Sequence, residues 1–224
     1  MTPRFLSRLA AAAAVALTLS ACAGPAPSSS SVPAGDGPLV GFYGDSYTLG
    51  TGASSPDKRW STIIAKQRGW RELNPSVNGL GFVNNRTAFG DGSGDLPSIL
   101  IDGKPEIVFV TMGLNDNFSY DAAADEIHEQ IDTDLQRLKE GLPDARFVVV
   151  EPFWYTDDRP DSLAAIIGWV KDAAEDIDAD YIPGASHWIE GHPEWMASDG
   201  LHPNDEGYAA MAKQMDAALT ELGL

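Results

Sequence analysis

The stretch Leu39-Val40-Gly41-Phe42-Tyr43-Gly44-Asp45-Ser46 decides the fold. Residues 39–43 form a short apolar run that stops at a Gly-Asp turn, the pattern of a strand buried on both faces. Ser46 therefore stands just past the carboxyl end of a strand, where open parallel sheets hold their ligands. Two similar runs, residues 107–111 and 146–151, put Asn115 and the pair Phe153-Trp154 beyond neighbouring strand ends. A weaker strand is expected within residues 73–78, kept short or at an edge by Pro75. A last one includes Tyr181 and Ile182.

Helical periodicity fills the intervals between these runs. Residues 60–68 end at Gly69, and residues 122–140 end at Gly141 with Ile127, Ile131, Leu135 and Leu138 at spacings of three and four. Residues 162–177 and 204–222 are the remaining helices, and Asp121 and Asp161 are the expected N-caps of two of the four. Strands alternating with helices predict an α/β fold with a mainly parallel sheet.

Far downstream, Asp199-Gly200-Leu201-His202 places a carboxylate and an imidazole three residues apart. Together with Ser46 they supply a nucleophile, a general base and an acid that orients the base. Length and composition allow such an enzyme, because 224 residues with 43% hydrophobic content bury one substantial core. The formal charge of −18 repels phosphate backbones and so excludes nucleic acid as a partner.

The first residues read as an address rather than as structure. Arg4 and Arg8 precede an apolar tract over residues 9–19, too short for the ~20 residues a membrane-spanning helix needs. The sequence Leu19-Ser20-Ala21-Cys22 resembles the lipobox of bacterial lipoproteins, which implies lipidation of Cys22, the one cysteine of the chain. Residues 1–21 are then a lipoprotein signal peptide. Residues 22–38 are rich in Gly, Pro, Ala and Ser and read as a flexible tether, and residues 39–224 form the catalytic domain. The expected location is extracytoplasmic, with the membrane reached through an N-terminal lipid anchor.

Gly44-Asp45-Ser46, Gly79, Gly113-Leu114-Asn115-Asp116 and Asp199-x-x-His202 occur in the order and approximate spacing of one family. From residue 39 to the C-terminus the chain resembles the SGNH (GDSL-type) esterases and lipases. The resemblance implies a three-layer α/β/α sandwich around a mainly parallel, flavodoxin-like sheet, and a triad of Ser46, His202 and Asp199. It also implies an oxyanion hole made by the backbone amides of Ser46 and Gly79 and the side-chain amide of Asn115. Asn78-Gly79-Leu80-Gly81 offers two glycines for the second post, with Gly79 favoured over Gly81. Asp45 and Asp116 look like supports for neighbouring loops, and simple turn capping is the competing explanation. No metal or organic cofactor is implied.

Other chemistries fit the residues poorly. No serine lies in a Gly-x-Ser-x-Gly elbow, and His128, His187 and His192 lack the spacing of a zinc site. Asp176-x-Asp178-x-Asp180 has Tyr181 where a calcium loop needs glycine, so it reads as a solvated helix end. The Gly-rich residues 90–95 lack a following Lys-Ser/Thr and read as a surface loop. Phe153, Trp154 and Trp188 are candidate substrate-pocket residues, with core packing as the alternative. The expected activity is hydrolysis of a small-molecule or glycan carboxylic ester through an acyl-Ser46 intermediate. Acyl transfer or O-deacetylation on cell-envelope glycans is the nearest alternative, and a non-catalytic ligand-binding lipoprotein is an alternative of another class.

Overall fold

A computed structural model describes residues 35–89 and 94–224. Residues 1–21, expected as a signal peptide, Cys22, and the expected tether up to residue 34 lie outside the described residues. Five parallel strands form one sheet: β1 (Leu39–Gly44), β2 (Arg71–Leu73), β3 (Ile107–Thr111), β4 (Arg146–Val150) and β5 (Asp180–Ile182). Their order is β2-β1-β3-β4-β5, the flavodoxin-like arrangement. The order reverses between β1 and β3. In open α/β sheets such a switch point, beyond the carboxyl ends of the strands, is where ligands bind.

The strands alternate their side chains between two cores, as a pleated sheet covered on both faces must. Tyr43, Val108, Val110, Phe147 and Val149 join one core, against α3 (Leu96–Gly103), α4 (Tyr120–Gly141) and α5 (Asp161–Asp176). Val40, Phe42, Phe109, Val148 and Val150 join the other, against α2 (Trp60–Gln67) and α6 (Asp205–Glu221). The result is a three-layer α/β/α sandwich. A four-residue helix, α1 (Ser46–Leu49), follows β1 directly. Gly41 marks a close approach, since a Cβ there would lie 2.8 Å from Leu100 on α3.

Three expectations require correction. The edge strand is Arg71–Leu73, ahead of Pro75 rather than around it. Asn74 ends it by turning its side chain onto the Thr48 carbonyl at 2.9 Å and accepting the Ser76 N–H at 3.2 Å. Asp121 and Asp161 lie inside the first turns of α4 and α5, whose N-cap positions are Ser119 and Pro160. Helix α3 is absent from the four helices that periodicity predicts; it carries only two buried leucines, Leu96 and Leu100, in eight residues, too few for a periodic signal. Pro97 in its first turn was the available clue.

Candidate active site

Ser46 is the first residue of α1 and is buried at the sheet's carboxyl edge. The turn leading to it has no spare room, because a Cβ on Gly44 would lie 2.5 Å from Thr48 and 2.6 Å from Thr111. Asp45 caps α1 by accepting the Tyr47 N–H at 2.9 Å. Its second carboxylate oxygen accepts from the Asn115 side-chain amide at 3.1 Å. Asp45 is thus both a cap and a link between the ends of β1 and β3. Burial pushes its carboxyl up to about 7 against the pull of the Tyr47 N–H, and the Asp116 charge adds to the rise.

Asp199 and His202 form an intact pair. Asp199 Oδ2 lies 2.7 Å from His202 Nδ1, while Oδ1 accepts the backbone N–H groups of Leu201 at 2.9 Å and His202 at 3.0 Å. The His202 ring, followed by these N–H donors, holds the Asp199 carboxyl down at about 2. The turn is docked onto the serine segment in two places. Tyr47 donates its hydroxyl to the Leu201 carbonyl at 2.7 Å, with its ring 6.0 Å from that of His202. Gly52, at φ +92°, backs onto Pro203 so closely that a Cβ would lie 2.5 Å from its carbonyl oxygen. Ser46 and His202 share no direct hydrogen bond among the described residues; Tyr47, the residue after Ser46, is what links the serine segment to the histidine turn.

The backbone amides separate the two glycine candidates. Gly81 donates its N–H to the Asn84 carbonyl at 2.9 Å, and a Cβ on it would collide with the Asp116 carboxylate. Gly79 adopts φ +71°, and its N–H, like that of Ser46, has no hydrogen-bond partner among the described residues. Its carbonyl takes the side-chain amides of Asn84 at 2.9 Å and Asn85 at 3.0 Å, which fixes the plane of the following peptide, Gly79–Leu80. Asn115, buried after β3, donates to Asp45 and to the Leu80 carbonyl at 2.9 Å, so both its N–H groups are engaged.

Asp116 clamps the glycine loop onto the end of β3. Its fully buried carboxylate accepts the N–H groups of Phe82 and Val83 at 2.8 Å and of Asn84 at 3.1 Å. Burial raises its carboxyl against these three donors. Such a fan of donors on one carboxylate was not readable from a Gly-Leu-Asn-Asp motif.

The aromatic expectations are corrected by placement. Phe153 and Trp154 are 2% and 3% exposed and belong to the core; Phe153 stacks behind Tyr47 at 5.8 Å, and Trp154 donates to Thr156 and to the Asp158 carbonyl. Trp188 borders a separate hollow beside α6. A groove of about 500 Å³ flanks the Asp199–His202 turn instead, lined by Tyr155, Asp158, Ile189, His192, Met196 and Ser198 among others. His128 is a surface residue of α4 stacked on Trp169 at 4.8 Å. No group of three or more metal-binding side chains occurs among the described residues.

A serine at a strand end, a carboxylate–imidazole pair docked beside it and amides left free above it are the equipment of a serine hydrolase. The family comparison agrees. Residues 42–210 match the model of the GDSL-like lipase/acylhydrolase family, and the chain belongs to that family of SGNH hydrolases. It is similar to the GDSL lipase Rv0518 of Mycobacterium tuberculosis, 27% identical over 184 residues and 79% of each chain. Among solved structures it is similar to the psychrotrophic esterase EstA of Pseudoalteromonas, with TM-score 0.63, 15% identity, and coverage of 82% of this chain and 97% of that one. It is also similar to Axe2, an acetyl-xylooligosaccharide esterase of Geobacillus, with TM-score 0.59, 17% identity, and coverage of 82% and 94%.

Proposed function

We propose that the protein hydrolyses carboxylic esters through an acyl-Ser46 intermediate, with His202 as general base and acid and Asp199 as its orienting partner. The observation that carries this reading is the pair of amides, Ser46 and Gly79, that have no partner among the described residues, together with a turn in which Asp199 already holds His202. His202 takes the Ser46 proton as Oγ attacks the ester carbonyl, then returns it to the departing alcohol; water repeats the cycle to release the acid. Asp199, held down at about 2, stays ionised and stabilises the imidazolium. The developing oxyanion meets the Ser46 and Gly79 amides, and Asn115 joins them by exchanging its bond to Leu80 for one to the oxyanion while Asp45 keeps the amide in place.

The substrate reading is an ester of a small molecule or a carbohydrate, supported by family membership and by the esterase acting on acetylated xylooligosaccharides among the structural relatives. Ser46→Ala should abolish turnover of short-chain aryl esters and labelling by a fluorophosphonate probe while leaving the melting temperature near that of the wild type. Retained turnover in that variant would refute the mechanism.

We further propose a lipid-anchored, extracytoplasmic location, supported by Arg4, Arg8, the apolar residues 9–19 and Leu19-Ser20-Ala21-Cys22. No helix among the described residues is long and apolar enough to cross a membrane. Labelled palmitate should enter the full chain in a bacterial host and be lost in Cys22→Ala; equal incorporation in both would remove the anchor.

A further inference from the structure

We infer that Arg86 is a positioning residue for the oxyanion hole, acting through a buried ion cluster on which the three donor segments converge. The inference rests on the esterase reading above. Asp134, on α4, has a side chain 1% exposed, and that of Arg86 is 18% exposed. The Asp134 carboxylate receives both terminal nitrogens of Arg86, Nη2 at 2.9 Å, together with the Tyr43 hydroxyl and the Gln130 amide at 3.0 Å. Arg86 Nη1 also donates to the Tyr43 hydroxyl at 3.2 Å and to the Phe82 carbonyl at 3.0 Å.

Two partners lie on donor segments, and the third lies on the helix that follows the remaining one. Tyr43 lies on β1, which delivers the Ser46 amide, and Phe82 lies in the loop that carries Gly79. Helix α4 follows the turn that begins at Asn115. The loop over residues 79–89 contains no helix or strand, so its shape depends on such cross-links. Asp116 holds it from the β3 side, and Arg86 holds it from the β1 and α4 side.

Stability alone is a poor explanation for this cluster, since desolvation of the buried Asp134 and half-buried Arg86 offsets much of their attraction and neutral replacements are often tolerated. What a neutral pair lacks is direction. The planar guanidinium serves three acceptors at fixed angles, and that geometry sets where the Gly79 amide points.

The test is the charge-balanced double variant Arg86→Met with Asp134→Asn, which strands no charge and keeps an acceptor for Tyr43. With an aryl ester, kcat should fall about 100-fold, the scale of one lost oxyanion donor. KM should hardly change, and the pH profile of kcat/KM should keep its shape because Ser46, His202 and Asp199 are untouched. Added guanidinium should restore part of kcat to the single variant Arg86→Ala. Wild-type kcat in the double variant, a change confined to KM, or failure of the double variant to fold would each overturn the positioning role. Absence of turnover and of Ser46 labelling in the wild-type protein would instead overturn the esterase reading.

Discussion

Replacing Asp116 with asparagine tests the clamp on the glycine loop. Its carboxylate divides its work: Oδ2 takes the Phe82 N–H at 2.8 Å, and Oδ1 takes those of Val83 at 2.8 Å and Asn84 at 3.1 Å. Asparagine keeps one acceptor oxygen. If that oxygen serves Val83 and Asn84, the new amide NH2 faces the Phe82 N–H, and two donors meet in a site where Phe82 and residue 116 are fully buried. A stranded buried donor costs about 1–3 kcal/mol. Relief from burying a charge, the effect that raises this carboxyl, works in the opposite direction and favours a net loss near the middle, about 2 kcal/mol. For a domain of this size that corresponds to a fall in melting temperature of about 4–8 °C. Because Phe82 is the Asp116 contact nearest Gly79 in sequence, kcat on an aryl ester should drop about tenfold, part of the value of one oxyanion donor. Calorimetry at pH 7 and steady-state kinetics measure both. A melting temperature within about 1 °C of wild type, with unchanged kcat, would refute the reasoning, since it would mean that the Phe82 N–H gains nothing from the carboxylate.

Tyr47→Phe removes one hydroxyl, the donor to Leu201 at 2.7 Å, and leaves the Phe153 stacking in place. Stability should fall by about 1 kcal/mol and kcat should fall with it, because the Asp199–His202 turn loses one of its two ties to the serine segment; a variant that loses stability but not kcat would contradict this. Asp45, with a folded value near 7 against an unfolded value near 4, binds its proton more tightly in the native state. Its contribution to stability is therefore complete below about pH 4 and is lost as pH rises through about 7, by at most about 4 kcal/mol. Urea midpoints should decline over that window in the wild type and decline less in Asp45→Asn; parallel profiles would show that Asp45 titrates normally.

Much of this protein was legible in one dimension, and what was legible has a common physical basis. Strands β1, β3 and β4 announced themselves because a strand buried on both faces must be apolar along its whole length. Ser46, Asn115, Asp199 and His202 stood out because each lies at the end of such a run or in a turn of fixed spacing, where local chain geometry already constrains the side chain. Sequence proximity even allowed the Asp199–His202 pairing to be anticipated across three residues, and the structure places the two 2.7 Å apart.

The rest depends on neighbours that are distant in the chain. Gly79 and Gly81 are both candidates in sequence, where spacing only favours Gly79; the Asn84 carbonyl and the Asp116 carboxylate, brought in by folding, engage Gly81 and leave the Gly79 N–H without a partner among the described residues. Phe153 and Trp154 follow a strand end, yet Phe153 stacks on Tyr47 and Trp154 bonds to Thr156 and Asp158 from behind the groove's lining, so neither is itself part of that lining. Arg86 and Asp134, 48 residues apart, carried no local signal at all. The amino-acid sequence by itself determined the sheet, the candidate site side chains and their order along one edge, because those follow from hydrophobic pattern and short-range geometry. Tertiary structure alone decided which amides stay unpaired and what holds them there, because a hydrogen bond left open for a ligand is defined by every contact that the fold does not make.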